Sequence, residues 1–150
     1  MLVYRLAKEK YALDLSGEGS KLYGGRWNSV GTPMLYAASS RSLAVLELLV
    51  NLASTKLPED MFMIILKIDL ENIPLLPLPQ NWQSLPFESA SQRTGDNWVK
   101  SSQLATTVPS VVIPEEQNIL LNPLSSNFGS IVRIIETKPF YFDKRLMKGS

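Results

Sequence analysis

The sequence predicts one domain that combines helices with strands, α/β or α+β. The chain has 150 residues of which 45% are hydrophobic, enough for a single buried core. One strongly apolar helical segment stands among several apolar runs of strand length. No internal repeat, coiled-coil heptad or linker divides it.

Val3 to Ala7 reads as a first strand, with Tyr4 and Leu6 on one side and Val3 and Arg5 on the other. Gly17, Gly19, Gly24, Gly25 and Gly31 follow closely and mark a loop that turns tightly or approaches something closely. Met34 to Ala38 reads as a second strand, flanked by Pro33 and the Ser39-Ser40 pair. Ser40 is the predicted N-cap of a helix running to about Ala53. On it Ser40, Ala44, Glu47, Asn51 and Ser54 share one face by their spacing of three and four. The other positions are almost continuously apolar, so most of this helix is expected to be buried.

Met61 to Ile68 predicts a buried strand interrupted only by Lys67. Pro74, Pro77, Pro79 and Pro86 argue for an extended surface connection. Asp96 to about Thr106 is expected to form a short helix anchored by Trp98, and Val111 to Ile113 and Ile131 to Ile135 to form strands. The Ser/Thr-rich stretch Ser101 to Ser110 reads as loop and helix end. Asn118 to Phe128 reads mostly as loop, with a turn at Asn122-Pro123.

Composition excludes much chemistry. With no cysteine there are no disulfides, thiolate metal sites or cysteine nucleophiles. With no histidine there is no Ser-His-Asp triad, no His-based zinc hydrolase and no imidazole proton shuttle. Catalysis must use carboxylates, Arg, Lys, Tyr, Ser and Thr. A net charge of +1 gives no basic footprint for nucleic acid, and no EF-hand ladder or transition-metal ligand set occurs. No apolar run approaches the ~18–20 residues of a membrane span. The segment Met1 to Lys10 carries Arg5, Lys8, Glu9 and Lys10 instead of an export signal's apolar core, so a soluble cytoplasmic protein is expected. The terminal Lys148-Gly149-Ser150 is set aside, native or not.

The glycine segment fits neither common phosphate motif. A dinucleotide fingerprint starting at Gly17 fails at Leu22, and a P-loop starting at Gly19 has Gly25 where lysine is required. What remains is Gly24-Gly25-Arg26-Trp27-Asn28. Two glycines allow a close backbone approach, and the guanidinium offers a fork suited to phosphate. The same residues also suit a structural turn with Arg26 on a carboxylate and Trp27 in the core. Likewise the Glu47 stripe suits either a solvent face or a cleft wall. Glu115-Glu116 reads as solvated surface.

Taken together, Arg5, Gly24-Gly25-Arg26-Trp27-Asn28, Gly31, Tyr36-Ala37-Ala38, the helix through Leu43 to Glu47, Gly95-Asp96-Asn97-Trp98, Val108-Pro109-Ser110, Asn118, Asn122-Pro123 and Asp143-Lys144-Arg145 resemble the RES domain family along nearly the whole chain. Two positions depart from the family's pattern: Ser20 where alanine is more common, and Leu124 where a histidine often follows Asn-Pro. Both lie away from the arginine, glutamate and serine that name the family.

The resemblance implies a single α+β domain over residues 1–150, ADP-ribosyltransferase-like, with a central mixed or antiparallel sheet around a cleft. It implies the toxin of a bacterial type II toxin–antitoxin pair, held by an Xre-type helix-turn-helix antitoxin that covers the active site. A homodimer within a larger complex is compatible with it; direct nucleic-acid or membrane binding is not expected.

The implied activity is NAD+ consumption at the nicotinamide–ribose bond, by phosphorolysis or hydrolysis. The alternatives are ADP-ribosylation of a protein and a non-catalytic antitoxin-binding module. NAD+ is substrate, with inorganic phosphate a possible co-substrate, and no cofactor or metal is expected. By the same resemblance Arg26 holds the NAD+ phosphates or ribose, and Tyr36 packs on or hydrogen-bonds the nicotinamide end. Glu47 engages the nicotinamide ribose, and Ser110 binds nicotinamide or the incoming phosphate. Arg5, Tyr23 and Asn118 complete the substrate pocket.

Overall fold

In the computed structural model, which describes Met1 to Met147, six strands form one sheet in the order β4-β5-β2-β1-β3-β6. Lys148-Gly149-Ser150 lies outside the described residues. The strands are β1 (Leu2–Lys8), β2 (Leu35–Ala38), β3 (Met61–Ile68), β4 (Ala105–Pro109), β5 (Gln117–Leu121) and β6 (Val132–Phe140). Every named pair is antiparallel, so the architecture is α+β. Among the described residues four α-helices accompany the sheet: α1 (Glu18–Tyr23), α2 (Arg41–Val50), α3 (Ser89–Lys100) and α4 (Phe128–Ile131).

Register divides this sheet in two. β1 pairs with β3 from Leu2↔Lys67 to Lys8↔Met61, and β2 pairs with β5 along its length. Between the halves, β1 and β2 meet at one rung, Tyr4↔Ala38. Past that rung the strands are unpaired, and a cleft opens between Arg5-Leu6 and Tyr36-Ala37.

Strand alternation sends side chains to two cores. Val3, Leu35, Ala37, Ile64, Leu66, Ile119 and Leu121 pack on one face. Trp27, Met34, Leu76, Trp98, Val99, Val108 and Leu120 form the second cluster, with Tyr36 against it. On this second side α2 seats Leu43 and Ala44 over Ala38 and Tyr4. The helix starts where predicted: Ser40 Oγ accepts from the Leu43 amide at 3.1 Å. Leu43 is fully buried, so Leu43→Ala is expected to cost about 2–5 kcal/mol and loosen this seat.

Several expectations require correction. α2 ends at Val50, which is 59% exposed, and only Leu43 and Ala44 on it are fully buried. Of its remaining apolar residues, Leu48 lines a cleft, and Val45, Leu46 and Leu49 are only half-buried. α3 starts at Ser89, well before Asp96, and stops at Lys100. Its polar first turn and internal Gly95 hide the helical period.

The Thr106-Thr107-Val108 run belongs to β4, whereas Val111 to Ile113 is a turn; β5 occupies part of the predicted Asn118 loop. α1 interrupts the glycine loop, bounded by Gly17 and Gly24 with φ of 72° and 73°. The proline-rich connection is extended as expected, but it also hydrogen-bonds to β4: the Leu76 amide donates to Thr107 O and the Thr107 amide to Pro74 O.

Candidate active site

Where β1 and β2 part, α2 and β5 close a cavity of about 350 Å³ whose wall includes Arg5, Tyr36, Ala44, Glu47, Asn51 and Asn118. Ala44, Glu47 and Asn51 of the polar stripe therefore line a cleft, whereas Ser40 and Ser54 do not. A second cavity of about 560 Å³ shares Arg5, Leu6, Tyr36, Leu48 and Leu52 with the first and extends to Tyr11, Asp14 and Tyr23. The two make one continuous cleft along the split in the sheet.

Glu47 is fixed from the opposite wall. Its Oε1 accepts from Ser110 Oγ at 2.6 Å and from Asn118 Nδ2 at 2.7 Å. Ser110, just after β4, is fully buried. Its Oγ also accepts from the Val112 and Ile113 amides at 3.0 and 3.1 Å. A hydroxyl has one proton and two lone pairs, so protein groups fill every position on Ser110 Oγ. The resemblance implied direct contact of Ser110 with nicotinamide or phosphate; the geometry instead spends its hydroxyl on Glu47 and the 110–113 turn.

Tyr36 does two jobs. Its ring lines both cavities, while its hydroxyl donates to Asn28 Oδ1 at 2.6 Å and accepts from the Trp27 amide at 3.1 Å. Burial pushes the phenol's pKa up, a shift the Trp27 hydrogen bond only partly opposes. Gly25 must be glycine here, because a methyl group on it would stand 2.9 Å from the Tyr36 hydroxyl and 3.0 Å from Asn28 Oδ1. Fully buried Asn28 ties the loop further, donating to Ser20 O at 2.8 Å and Thr32 O at 3.0 Å.

The two arginines are held differently. Arg5 projects from β1 into the split and donates to Asp14 O at 3.1 Å. Burial lowers its pKa and the Asp14 carboxylate partly restores it, yet a guanidinium stays charged. Arg26 donates through Nη1 to Trp82 O at 2.7 Å and Ser84 O at 2.9 Å, with Phe87 near its guanidinium face. Burial lowers its pKa, opposed first by Glu47 and then by Tyr36. Arg26 thus lies in the field of Glu47, while its bonds run to the proline-rich segment instead of a carboxylate. It lines neither cavity. Tyr23, 84% exposed at the end of α1, lines only the second cavity.

α3 braces the glycine loop, a role the sequence reading did not assign. Gln92 donates to Gly25 O and Asn28 O, and Asp96 accepts from the Ser29 amide at 2.9 Å. The signal was present in Gly95-Asp96-Asn97-Trp98, whose glycine lets the helix lie against the Trp27 carbonyl. Among the described residues, no group of His, Cys, Asp and Glu could hold a metal, and no helix is long and apolar enough to cross a membrane.

Known proteins are similar to this chain over nearly its whole length. A protein from Photorhabdus laumondii named Toxin Res is 36% identical over 153 aligned positions, covering 99% of this chain and 98% of its own. A Yersinia enterocolitica protein of the same name is 37% identical over 151 positions, covering 97% and 99%. A Sphingobium protein named Prs ADP-ribosylating toxin is 36% identical over 149 positions, covering 95% and 92%. The family model described as RES domain matches residues 2–143, which includes both walls of the cleft and the glycine loop. With that match and this similarity, the chain belongs to the RES domain family.

Proposed function

We propose that the protein is the toxin of a bacterial toxin–antitoxin pair and cleaves the nicotinamide–ribose bond of NAD+. The observation that carries this reading is the Glu47 carboxylate, fixed in a cleft wall by two neutral donors with no proton shuttle beside it. The chemistry needs no shuttle. The bond from ribose C1′ to the pyridinium nitrogen breaks with its electron pair moving onto nitrogen, so nicotinamide leaves neutral and unprotonated. Positive charge grows on the sugar as in glycoside hydrolysis, and an oriented carboxylate stabilises it by a few kcal/mol. A phosphate oxygen then bonds to C1′, giving ADP-ribose 1-phosphate and releasing the phosphate's proton to solvent. With water as acceptor the product is ADP-ribose.

In this reading NAD+ is substrate, and no separate cofactor takes part. It lies along the split sheet with its nicotinamide riboside at Glu47 and Tyr36 and its adenosine end toward Tyr23. Arg5, in the wall shared by both cavities, suits the diphosphate. Arg26, held on the Trp82 and Ser84 carbonyls, orders the loop beside the cleft. An Xre-type antitoxin covering this cleft accounts for tolerance of the enzyme by its own cell, and a homodimer in the larger complex is compatible with it.

A second reading, ADP-ribose transfer to a protein, is favoured by the Sphingobium relative's name and by the breadth of the cleft. Incubation with NAD+, with and without phosphate, followed by mass analysis of products separates the outcomes. ADP-ribose phosphate, free ADP-ribose or a mass-shifted protein each identifies one acceptor. No nicotinamide release with any acceptor refutes the proposal and leaves a non-catalytic binding module.

A further inference from the structure

Asn118 is paired on both sides, with Ala38 on β2 and Val108 on β4, so its backbone is fixed in the middle of one sheet half. From there its Nδ2 lies 2.7 Å from Glu47 Oε1, and Ser110 Oγ reaches the same atom at 2.6 Å from a separate segment. Terminal carboxylate torsions are broad and two-fold, so a glutamate with one donor can still rotate. Two donors converging on one oxygen from different segments remove that rotation. Both are neutral, so they hold the group without cancelling its charge. Neither bond uses Oε2.

We propose that Asn118 is a positioning residue: together with Ser110 it clamps Oε1 of Glu47 and thereby presents Oε2 to the ribose. This differs from a substrate contact by Asn118, and it rests on the reading of Glu47 as the group that meets the sugar. The clamp accounts for the fully engaged hydroxyl of Ser110, which serves as the second jaw. The charged residues that line the cleft besides Glu47 are Arg5, Lys8, Asp14 and Glu18, and among the described residues none of them hydrogen-bonds to the Asn118 side chain.

The test uses Asn118→Ala and Asn118→Asp in the full chain, with thermal unfolding to verify folding. Losing one jaw misplaces the carboxylate, so Asn118→Ala is expected to lower kcat by about ten- to a hundredfold with KM within about twofold. A raised KM with unchanged kcat makes Asn118 a substrate contact and overturns the proposal. Asn118→Asp keeps the shape but sets a second carboxylate against Oε1, and two carboxylates sharing a site cannot both ionise readily. The acid limb of its pH–rate profile is expected to move up by about two pH units, whereas a profile superimposable on the wild type's overturns the clamp.

A measurement without NAD+ keeps the two proposals separable. The carboxylate pair in Asn118→Asp retains a proton in the folded state that the unfolded chain gives up, so its stability falls as pH rises. Its unfolding midpoint is expected to drop relative to Asn118→Ala between about pH 4 and pH 6.5. Midpoints that run parallel overturn the clamp even if NAD+ proves not to be the substrate. A wild-type protein inactive on NAD+ with diverging midpoints overturns the proposed reaction alone.

Discussion

Replacing Gly95 with alanine tests how the glycine loop is held. Gly95 lies inside α3, where helix propensity alone favours alanine by about 1 kcal/mol. The loop reverses the sign. A methyl group built at Gly95 would stand 1.6 Å from the Trp27 carbonyl oxygen and 2.6 Å from its carbonyl carbon. No side-chain rotation relieves a clash with backbone, so either α3 or residues 25–28 must move. Overpacking of this kind costs about 3 kcal/mol, leaving a net destabilisation of about 2 kcal/mol. For a chain of this length that corresponds to an unfolding midpoint lowered by about 6 °C. Displacement also pulls Gln92 and Asp96 from the loop amides and carbonyls they hold, so nicotinamide release should fall as well. Urea unfolding with matched slopes measures the first effect and product mass analysis the second. A Gly95→Ala protein as stable as the wild type or more so refutes the packing argument.

Other substitutions separate charge from scaffold. Glu47→Gln keeps an oxygen for Ser110 and Asn118 but removes the charge; it should fold normally and lose about a hundredfold or more in NAD+ turnover, read as nicotinamide release. Arg26→Ala frees Trp82 O and Ser84 O, so amide exchange over residues 80–88 should accelerate while activity falls, and lysine, lacking the planar fork, should not restore protection. Tyr36→Phe strands the Trp27 amide and Asn28 Oδ1 and should cost about 1–3 kcal/mol. Because the folded-state pKa of Tyr36 is raised, its contribution is complete below about pH 10 and is lost above it, so midpoints measured near pH 9 and pH 11 should fall more for the wild type than for Tyr36→Phe.

Strong local signals were legible in the sequence. Met61 to Ile68 is a strand with the predicted bounds, because an apolar run of that length, interrupted only by Lys67, belongs in a sheet interior. Ser40 caps α2 because its side chain fits the first turn's free amides. α3 starts well before its sequence pattern predicts because Gly95 and a polar first turn suppress the helical period, and tertiary contact with Trp27 decides what propensity cannot. β4 reads as loop because its Thr/Ser content resembles turn chemistry, although Thr106 is buried and hydrogen-bonded to Pro74 O. Glu47, Ser110, Asn118, Tyr36 and Arg5 were legible only through the family pattern. Their spacing spans most of the chain, and nothing local states that β1 and β2 part after one rung.

That parting turns a sheet into a site. A fully paired β1–β2 ladder would satisfy the backbone and leave no opening between Arg5 and Tyr36. The short β2 and the glycine loop ahead of it, anchored by Asn28 and Tyr36, carry the chain away from β1 instead. The cleft then receives a carboxylate that is oriented but not neutralised. Of the four ion pairs among the described residues, none includes Glu47. Direct pairing with Arg26 would hold the carboxylate as firmly, but in the proposed reaction would oppose with a full positive charge the one that develops on the sugar. Binding Arg26 to the Trp82 and Ser84 carbonyls keeps that cation off Glu47 and leaves the orienting to neutral donors. On the proposed reaction, a chain without histidine arranges its carboxylate by hydrogen bonds alone, because the leaving group departs without needing a proton.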